Sequence, residues 1–392
     1  MGPIQKYNVT YADGNLMFNR KGGITPDIDS TNPAIMASPV ATQIGGYLTQ
    51  LQTLQDGFFH MDRYTKYPHS LRLSAENSNK NALTETPSYQ KSVLPETSQS
   101  MWVKPYTTFE KVQLKGGIDV SNVAYGTLYG GDSDIIDLGH GFKGVISTFI
   151  GYNGSHQSYN GISMNQQGGT LGITGTLYKG NFFTGLTAST GASAGEAYTQ
   201  YGQDNFAMIT AGVASKSGYN WELKDGKLIV QPTLFLGYTF VNTFDYTNAA
   251  GVKIDSDPLH AIQVVPGVKF VGNLKNGWQP YANVDMVWNI MDKTDVMAND
   301  VRLPQLSVKP YVQYGVGVQK TWGERFTGFF QTMMRNGGRN GVILTAGFRW
   351  LFGQDNDKNE KVQTAPKKTV LKQLKKPSAQ MSSNTRKVVK PL

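Results

Sequence analysis

From about residue 101 to 352, apolar and polar side chains take turns along the chain. In residues 228–240 the even positions are Leu228, Val230, Pro232, Leu234, Leu236, Tyr238 and Phe240; the odd ones mix Gln231, Thr233, Gly237 and Thr239 with Ile229 and Phe235. Residues 278–290 repeat the scheme, with Trp278, Val284, Met286 and Trp288 against Gln279, Asn283, Asp285 and Asn289. In residues 309–322, Val312, Tyr314, Val316 and Val318 alternate with Gln313, Gly315, Gly317 and Gln319. A period of two gives a strand one apolar and one polar face. Sandwich strands average ~5–6 residues, whereas these runs reach the ~9–11 residues of a tilted membrane strand. The pattern predicts an all-β chain whose body is an antiparallel barrel of roughly 12 strands.

Turn chemistry supports that reading. Lys179-Gly180-Asn181, Asp225-Gly226, Asn276-Gly277 and Gly323-Glu324 are tight-turn signals, since two-residue hairpin loops demand positive φ. Longer polar connections are expected around 153–167, 197–204, 246–258, 293–306 and 335–340. Short and long loops would then alternate, as in outer-membrane barrels. Aromatics flank the tight turns (Tyr178, Phe182, Trp221, Trp278, Trp322 and Phe326), where an interfacial girdle belongs. Prolines 232, 266, 280 and 310 fall in or beside these strands and are expected at bulges or strand starts.

A different period precedes the barrel. Asn32 can cap a helix and Pro33 suits its first turn. Ile35, Met36, Val40, Ile44, Tyr47, Leu48, Leu51 and Phe58 follow at helical spacing up to about Tyr64. Such a segment would reach roughly 40 Å, with a kink at Pro39 or Gly45-Gly46. Periodicity alone favours an ordinary amphipathic core helix; the linker and the barrel-type strands that follow shift the reading to a pore-crossing segment. Residues 65–100 are a polar linker without a stable period, and Tyr7, Val9, Tyr11, Leu16 and Phe18 give residues 1–28 a short β-like alternation.

Composition narrows the classes. No run approaches the ~18 apolar residues of a membrane helix, and the mean hydropathy is −0.35. Barrel strands show lipid only at alternate residues, so polarity does not exclude a membrane wall. With no cysteine, disulfides and thiolate metal sites are impossible. The net charge of +9 resembles a nucleic-acid signal, but ten Lys or Arg against Asp355, Asp357 and Glu360 follow Phe352. The charge belongs to a tail, and no nucleic-acid face is expected. The first six residues hold no export signal, so the sequence reads as a fragment of a longer chain.

Candidate chemistry recedes on inspection. Gly191-Ala192-Ser193-Ala194-Gly195 matches a nucleophile elbow, which needs a strand-to-helix turn, yet it lies in alternating sequence where small residues suit a barrel wall. His60, His69, His140, His156 and His260 lack metal-ligand spacing. Asn8-Val9-Thr10 and Asn153-Gly154-Ser155 fit a glycosylation sequon, which carries little weight in a bacterial-type barrel. No catalytic residue, cofactor or metal is expected, and the chain is not read as an enzyme.

Residues 33–353 resemble the β-domain of type V autotransporters. Gly226-Lys227-Leu228-Ile229-Val230-Gln231-Pro232 and Gly277-Trp278-Gln279-Pro280-Tyr281 look like the family's strand openings, and Lys309-Pro310-Tyr311 with Gly315-Val316-Gly317 like its late strands. Thr345, Gly347, Trp350 and Phe352 resemble its barrel-assembly signal; by alternation Val342, Leu344, Phe348, Trp350 and Phe352 face lipid, and Thr345, Gly347 and Arg349 the lumen. The resemblance implies five parts. They are the end of a β-rich passenger (1–28), a pore-threading helix (29–64), a linker (65–100), a transmembrane barrel (101–353) and a basic, disordered periplasmic tail (354–392). The helix would carry Pro33, Ile44, Gly45, Gly46, Tyr47, Leu48 and Leu51. The implied partners are the outer-membrane bilayer, the barrel-assembly machinery and the chain's own passenger, with an anionic cell-wall polymer as a further contact for the tail. Two departures stand out: some forty residues follow the final aromatic, and no long passenger is present. The family's self-cleaving members cut at an Asn-Asn pair that residues 33–64 lack, so the passenger is expected to stay attached. The competing readings are a porin-like channel and a surface-attached adhesin.

Overall fold

The computed structural model describes residues 7–12, 15–20, 40–59, 61, 99–115, 119–224, 226–274, 277–299, 301–322 and 326–351. Twelve strands form the wall: β1 (Ser100–Lys115), β2 (Asp119–Asp132), β3 (Phe142–Tyr159), β4 (Ile162–Lys179), β5 (Phe182–Thr199) and β6 (Gly202–Tyr219). They continue with β7 (Leu228–Thr243), β8 (Leu259–Gly272), β9 (Trp278–Ile290), β10 (Tyr311–Trp322), β11 (Phe326–Gly337) and β12 (Arg339–Leu351). Each pairs antiparallel with its neighbour in the chain. β12 then pairs with β1, Phe348 opposite Val103 and Trp350 opposite Met101, and the barrel closes without an edge.

Alternation decides which side chains face out. On β9, Trp278, Pro280, Val284, Met286, Trp288 and Ile290 are exposed, while Gln279, Tyr281, Asn283, Val287 and Asn289 are buried inside. From Trp278 to Trp288 is ten residues, or ~33 Å along the strand, which a ~40° tilt reduces to about 25 Å. That is the height of an outer-membrane apolar band. Trp221, Trp278, Trp322, Phe326 and Trp350 are exposed at the end where the chain enters and leaves the barrel; Tyr238, Trp288 and Tyr314 are exposed towards the other end.

Three of the five expected long loops are strand instead. β3 and β4 run through residues 153–167 and meet at Asn160-Gly161, both at positive φ (46° and 83°). β5 and β6 likewise turn at residues 200–201, and β11 and β12 at Gly337-Gly338. The physical reason lies outside the membrane. β3 to β6 have 18 residues each and outrun the lipid, so the outward face of β3 passes from Ile146, Ile150 and Tyr152 to Gly154, His156 and Ser158. Without lipid, polarity no longer tells strand from loop. The two remaining long connections pair with each other: Tyr246–Thr247, Lys253–Ser256, Val296–Ala298 and Val301–Arg302 form a small sheet around Val252, Ile254, Val296 and Leu303. At the opposite end the tight turns occur as expected, with Gly180, Gly226 and Gly277 at φ of 55°, 74° and 74°; residues 225, 276 and 323–325 lie outside the described set.

The prolines need correcting too. Pro310 precedes β10 as expected, but the others make no bulge. The β8–β9 ladder goes from Val264 opposite Trp288 to Gly267 opposite Asp285 without a change of register, skipping Pro266. The β6–β7 ladder begins at Thr233, just past Pro232, and the β8–β9 ladder ends at Tyr281, just past Pro280. Each strand proline thus sits where one flanking ladder lapses, so its missing N–H leaves no acceptor stranded.

Helix α1 (Gly45–Asp56), entered through a π-helical turn at Val40–Ile44, lies inside the barrel. Its twelve residues rise about 18 Å; the rest of the span expected for 29–64 is described only in part, since Pro33 and the segments 21–39 and 62–98 lie outside the described residues. Near the N-terminus, Tyr7–Ala12 and Asn15–Arg20 form a hairpin with Val9, Tyr11, Leu16, Met17 and Phe18 exposed. The tail, 352–392, is outside the described residues as well.

Candidate functional site: a plugged lumen

The barrel encloses α1 and buries most of its circumference, leaving Thr49, Gln52 and Gln55 as one half-buried strip. Ile44, Tyr47, Leu48, Leu51 and Leu54 are buried, and so are Thr42, Gln43, Gln50, Thr53 and Asp56. The amphipathic pattern is therefore not a core face and a wet face. One side packs on apolar wall residues and the other meets side-chain amides, because a polar group shut in a lumen must find a partner.

Those partners come from around the wall. Tyr47 donates from Oη to Asn289 Oδ1 at 2.7 Å, and Gln263 donates to the same oxygen at 2.9 Å. Gln55 donates to Gln263 Oε1 at 3.0 Å, so β8 and β9 are joined to the helix at two levels. On the facing side Gln50 donates to Ser189 Oγ at 2.7 Å and accepts from Thr210 Oγ1 at 2.9 Å. Asp56 pairs with Lys104 of β1. At the C-terminus the Gly57 N–H donates to Thr53 O at 2.9 Å, and Thr174 donates to Gly57 O at 2.9 Å.

The glycines read as a kink explain how closely the helix approaches the wall. A Cβ on Gly46 would lie 2.5 Å from Met208 Sδ and 3.0 Å from Val241 Cγ1; one on Gly45 would lie 2.9 Å from Gln166 Oε1. The pair also stands at the junction of the π turn and α1. Small residues here let the helix backbone lie directly on β4, β6 and β7. Opposite, a polar cavity of about 160 Å³ remains, lined by Gln52, Gln55, Lys216, Lys269, Asp285 and Gln313 among others.

Both ends of the helical segment are fastened. At the loop-covered mouth, Gln43 donates through Nε2 to Asp257 O and accepts from Asp295 N at 3.2 Å, bridging the two long connections with one amide. At the other mouth Phe59 lies against Trp102 (ring centroids 5.2 Å), Phe329 (4.9 Å) and the Arg349 guanidinium (4.5 Å). Arg349 is 3.5 Å from Asp132, which also accepts from Trp102 Nε1 at 3.0 Å and from the Ser100 and Ser147 hydroxyls at 2.6 Å each.

Of the expected helix residues, Ile44, Gly45, Gly46, Tyr47, Leu48 and Leu51 are brought together in the lumen; Pro33 is outside the described residues. In β12, Thr345 and Arg349 are buried inside and Phe348 and Trp350 exposed, as alternation predicts; Gly347 is on the lumen side, where a Cβ would be 2.5 Å from the Phe329 ring. Phe352 is outside the described set. Pattern reading missed Gln43, Gln50, Gln55 and Asp132. Glutamines 43, 50, 52 and 55 among the apolar residues of 40–56 were the available signal, and two of them, Gln43 and Gln50, are fully buried.

Ser193 lies inside β5, opposite Gly168 and Met208 on the two neighbouring strands. No strand-to-helix turn exposes it, so the elbow geometry is absent. Among the described residues no three His, Asp or Glu side chains are placed to hold a metal ion.

Residues 101–354 match the family model described as the autotransporter β-domain. The β-domain of the Bordetella autotransporter BrkA aligns at 17% identity and a TM-score of 0.53, covering 65% of this chain and 99% of that one. The transport unit of AIDA-I from Escherichia coli aligns at 14% and 0.53 (73% and 98% covered), and the translocator domain of NalP from Neisseria meningitidis at 12% and 0.52 (72% and 94%). At such identities the likeness concerns the fold. No curated protein matches the sequence.

Proposed function

Because this chain belongs to the autotransporter β-domain family, and is therefore an outer-membrane translocator, we propose that α1 is the retained stalk by which an upstream passenger stays joined to its barrel. The observation that carries this reading is the anchoring of the helical segment at both mouths, by Gln43 to the loops and by Phe59 to Arg349. A segment cut within the lumen would need a reactive amide or acid in the helix. Here Gln50 and Gln55 are engaged with the wall, Asp56 is paired with Lys104, and no Asn-Asn pair is present. The role is that of an anchor and export pore, without enzymatic activity. Intact-mass measurement of protein recovered from outer membranes should give one uncleaved chain; a fragment beginning between residues 40 and 61 would refute retention.

The last strand is proposed to be what the barrel-assembly machinery reads, through Thr345, Gly347, Trp350 and Phe352. Alternation supports this, since Trp350 presents an aromatic to lipid beside Phe326 while Thr345 and Gly347 face inward. Trp350→Ala with Phe352→Ala is expected to lower the heat-modifiable, folded protein in outer membranes severalfold. Wild-type amounts in that double variant would remove the assignment. For the basic tail we propose an electrostatic contact with an anionic cell-wall polymer, motivated by its net charge of about +7. A porin-like role is disfavoured by the helix itself, because it lies in the lumen a solute would have to cross.

A further inference from the structure

On the lipid side, where β12 closes on β1, the wall is indented. One row of directly paired residues crosses six strands: Tyr129, Val103, Phe348, Gly328, Lys320 and Trp278. Large rings flank small residues in it, and Gly328 forms the floor. The Trp322 ring leans over that floor, its Cζ3 2.9 Å from where a Cβ on Gly328 would stand. The trough measures about 660 Å³, within the ~300–1,000 Å³ of ordinary ligand pockets. Its lining is apolar and aromatic except for Thr127 and a single charged residue, Lys320.

The height of Lys320 gives the trough a direction. The row beneath it, Met101, Trp350, Phe326 and Trp322, is the aromatic rim at the end where the chain enters and leaves the barrel. Lys320 points outward two residues above Trp322, at the edge of the apolar band, with Nζ 4.8 Å from the Trp278 ring centroid. A cation on the lipid face is disfavoured with depth, and its stem reaches back to the interface. An anion at headgroup height favours it there. A charge at the interface continuous with an apolar trough reaching into the band has the chemistry of a phospholipid: phosphate at one end, acyl chain at the other.

We propose that this trough is a specific binding site for one anionic phospholipid of the periplasm-facing leaflet. Its headgroup sits at Lys320 beside Trp278 and Trp322, and one acyl chain lies over Gly328 between the Phe348 and Trp322 rings. The site straddles the β12–β1 junction, so the bound lipid seals the seam where first and last strands meet.

Native mass spectrometry of the full-length protein, delipidated and then supplied with phosphatidylglycerol or phosphatidylcholine, tests the site. One phosphatidylglycerol should survive activation that strips phosphatidylcholine. Lys320→Gln should reduce its retention about fivefold, the effect of one basic residue at an anionic surface. Gly328→Leu, which fills the floor and displaces the Trp322 ring, should abolish retention of phosphatidylglycerol. Lys179→Gln, at the same rim but outside the trough, should change nothing. Heat-modifiable migration identifies which variants have folded, and Gly328→Ala replaces Gly328→Leu if the latter fails. Equal retention of the two lipids would overturn the proposal. So would retention unaffected by Lys320→Gln or by filling the floor, or an equal loss with Lys179→Gln.

Discussion

Glu110→Ala is expected to destabilise the folded barrel by about 3–5 kcal/mol, the usual consequence of leaving a buried charge without its partner. Glu110 points into the lumen from β1 with its side chain fully shielded. Arg335 of β11 contacts it at 2.9 Å, Arg339 of β12 grips it through two nitrogens, and Asn122 of β2 donates to it at 2.9 Å. The carboxylate thus ties the strands on both sides of the junction where β12 meets β1. That ladder joins the two ends of the sheet, so no hairpin turn assists it. Alanine would leave two guanidinium groups facing each other within it. Glu110→Gln keeps hydrogen bonding but not charge and should fall between. The readout is the urea concentration or temperature at which the fast-migrating folded band disappears; an unchanged midpoint for Glu110→Ala would show that the cluster does not hold the seam.

What the residues alone disclose depends on whether lipid is present to sort them. On β7, β9 and β10 the two-residue rhythm is clean because hydrocarbon selects Leu234, Val284 or Val316 on one face while the lumen selects Gln231, Asn283 or Gln313 on the other. On β3 and β4 the rhythm fades past Tyr152 and before Gly169, where both faces meet polar surroundings; hence residues 153–167 resemble a loop. The pairing of Lys253–Ser256 with Val296–Ala298 is hidden for another reason. Segments of three or four residues, about forty apart, carry too little periodicity to reveal a partner. In the helix the apolar set from Ile44 to Leu51 is legible. Glutamines 43, 50 and 55 look like ordinary solvated positions until a wall of amides surrounds them. Arg349 could be assigned to the lumen by alternation. That it meets Phe59, 290 residues earlier in the chain, follows only from closure.

Conductance reports on the plug. An α-helix with its side chains occupies a column ~10–12 Å across, and a polar cavity of about 160 Å³ lies beside α1. Gln43 and the paired connections cover one mouth, and Phe59 with Arg349 narrows the other. Gly46→Leu, whose Cβ would overlap Met208 Sδ and crowd Val241 Cγ1, should loosen the helix and produce intermittent openings. Removing residues 1–61 altogether should convert the barrel into an open pore while the ladders of the wall, which do not involve the helix, remain. Single-channel recording in planar bilayers decides the matter. The full chain should stay near the bilayer baseline and the shortened one should show discrete, long-lived conducting steps. Equal conductance from both proteins would mean that the helix does not fill the lumen.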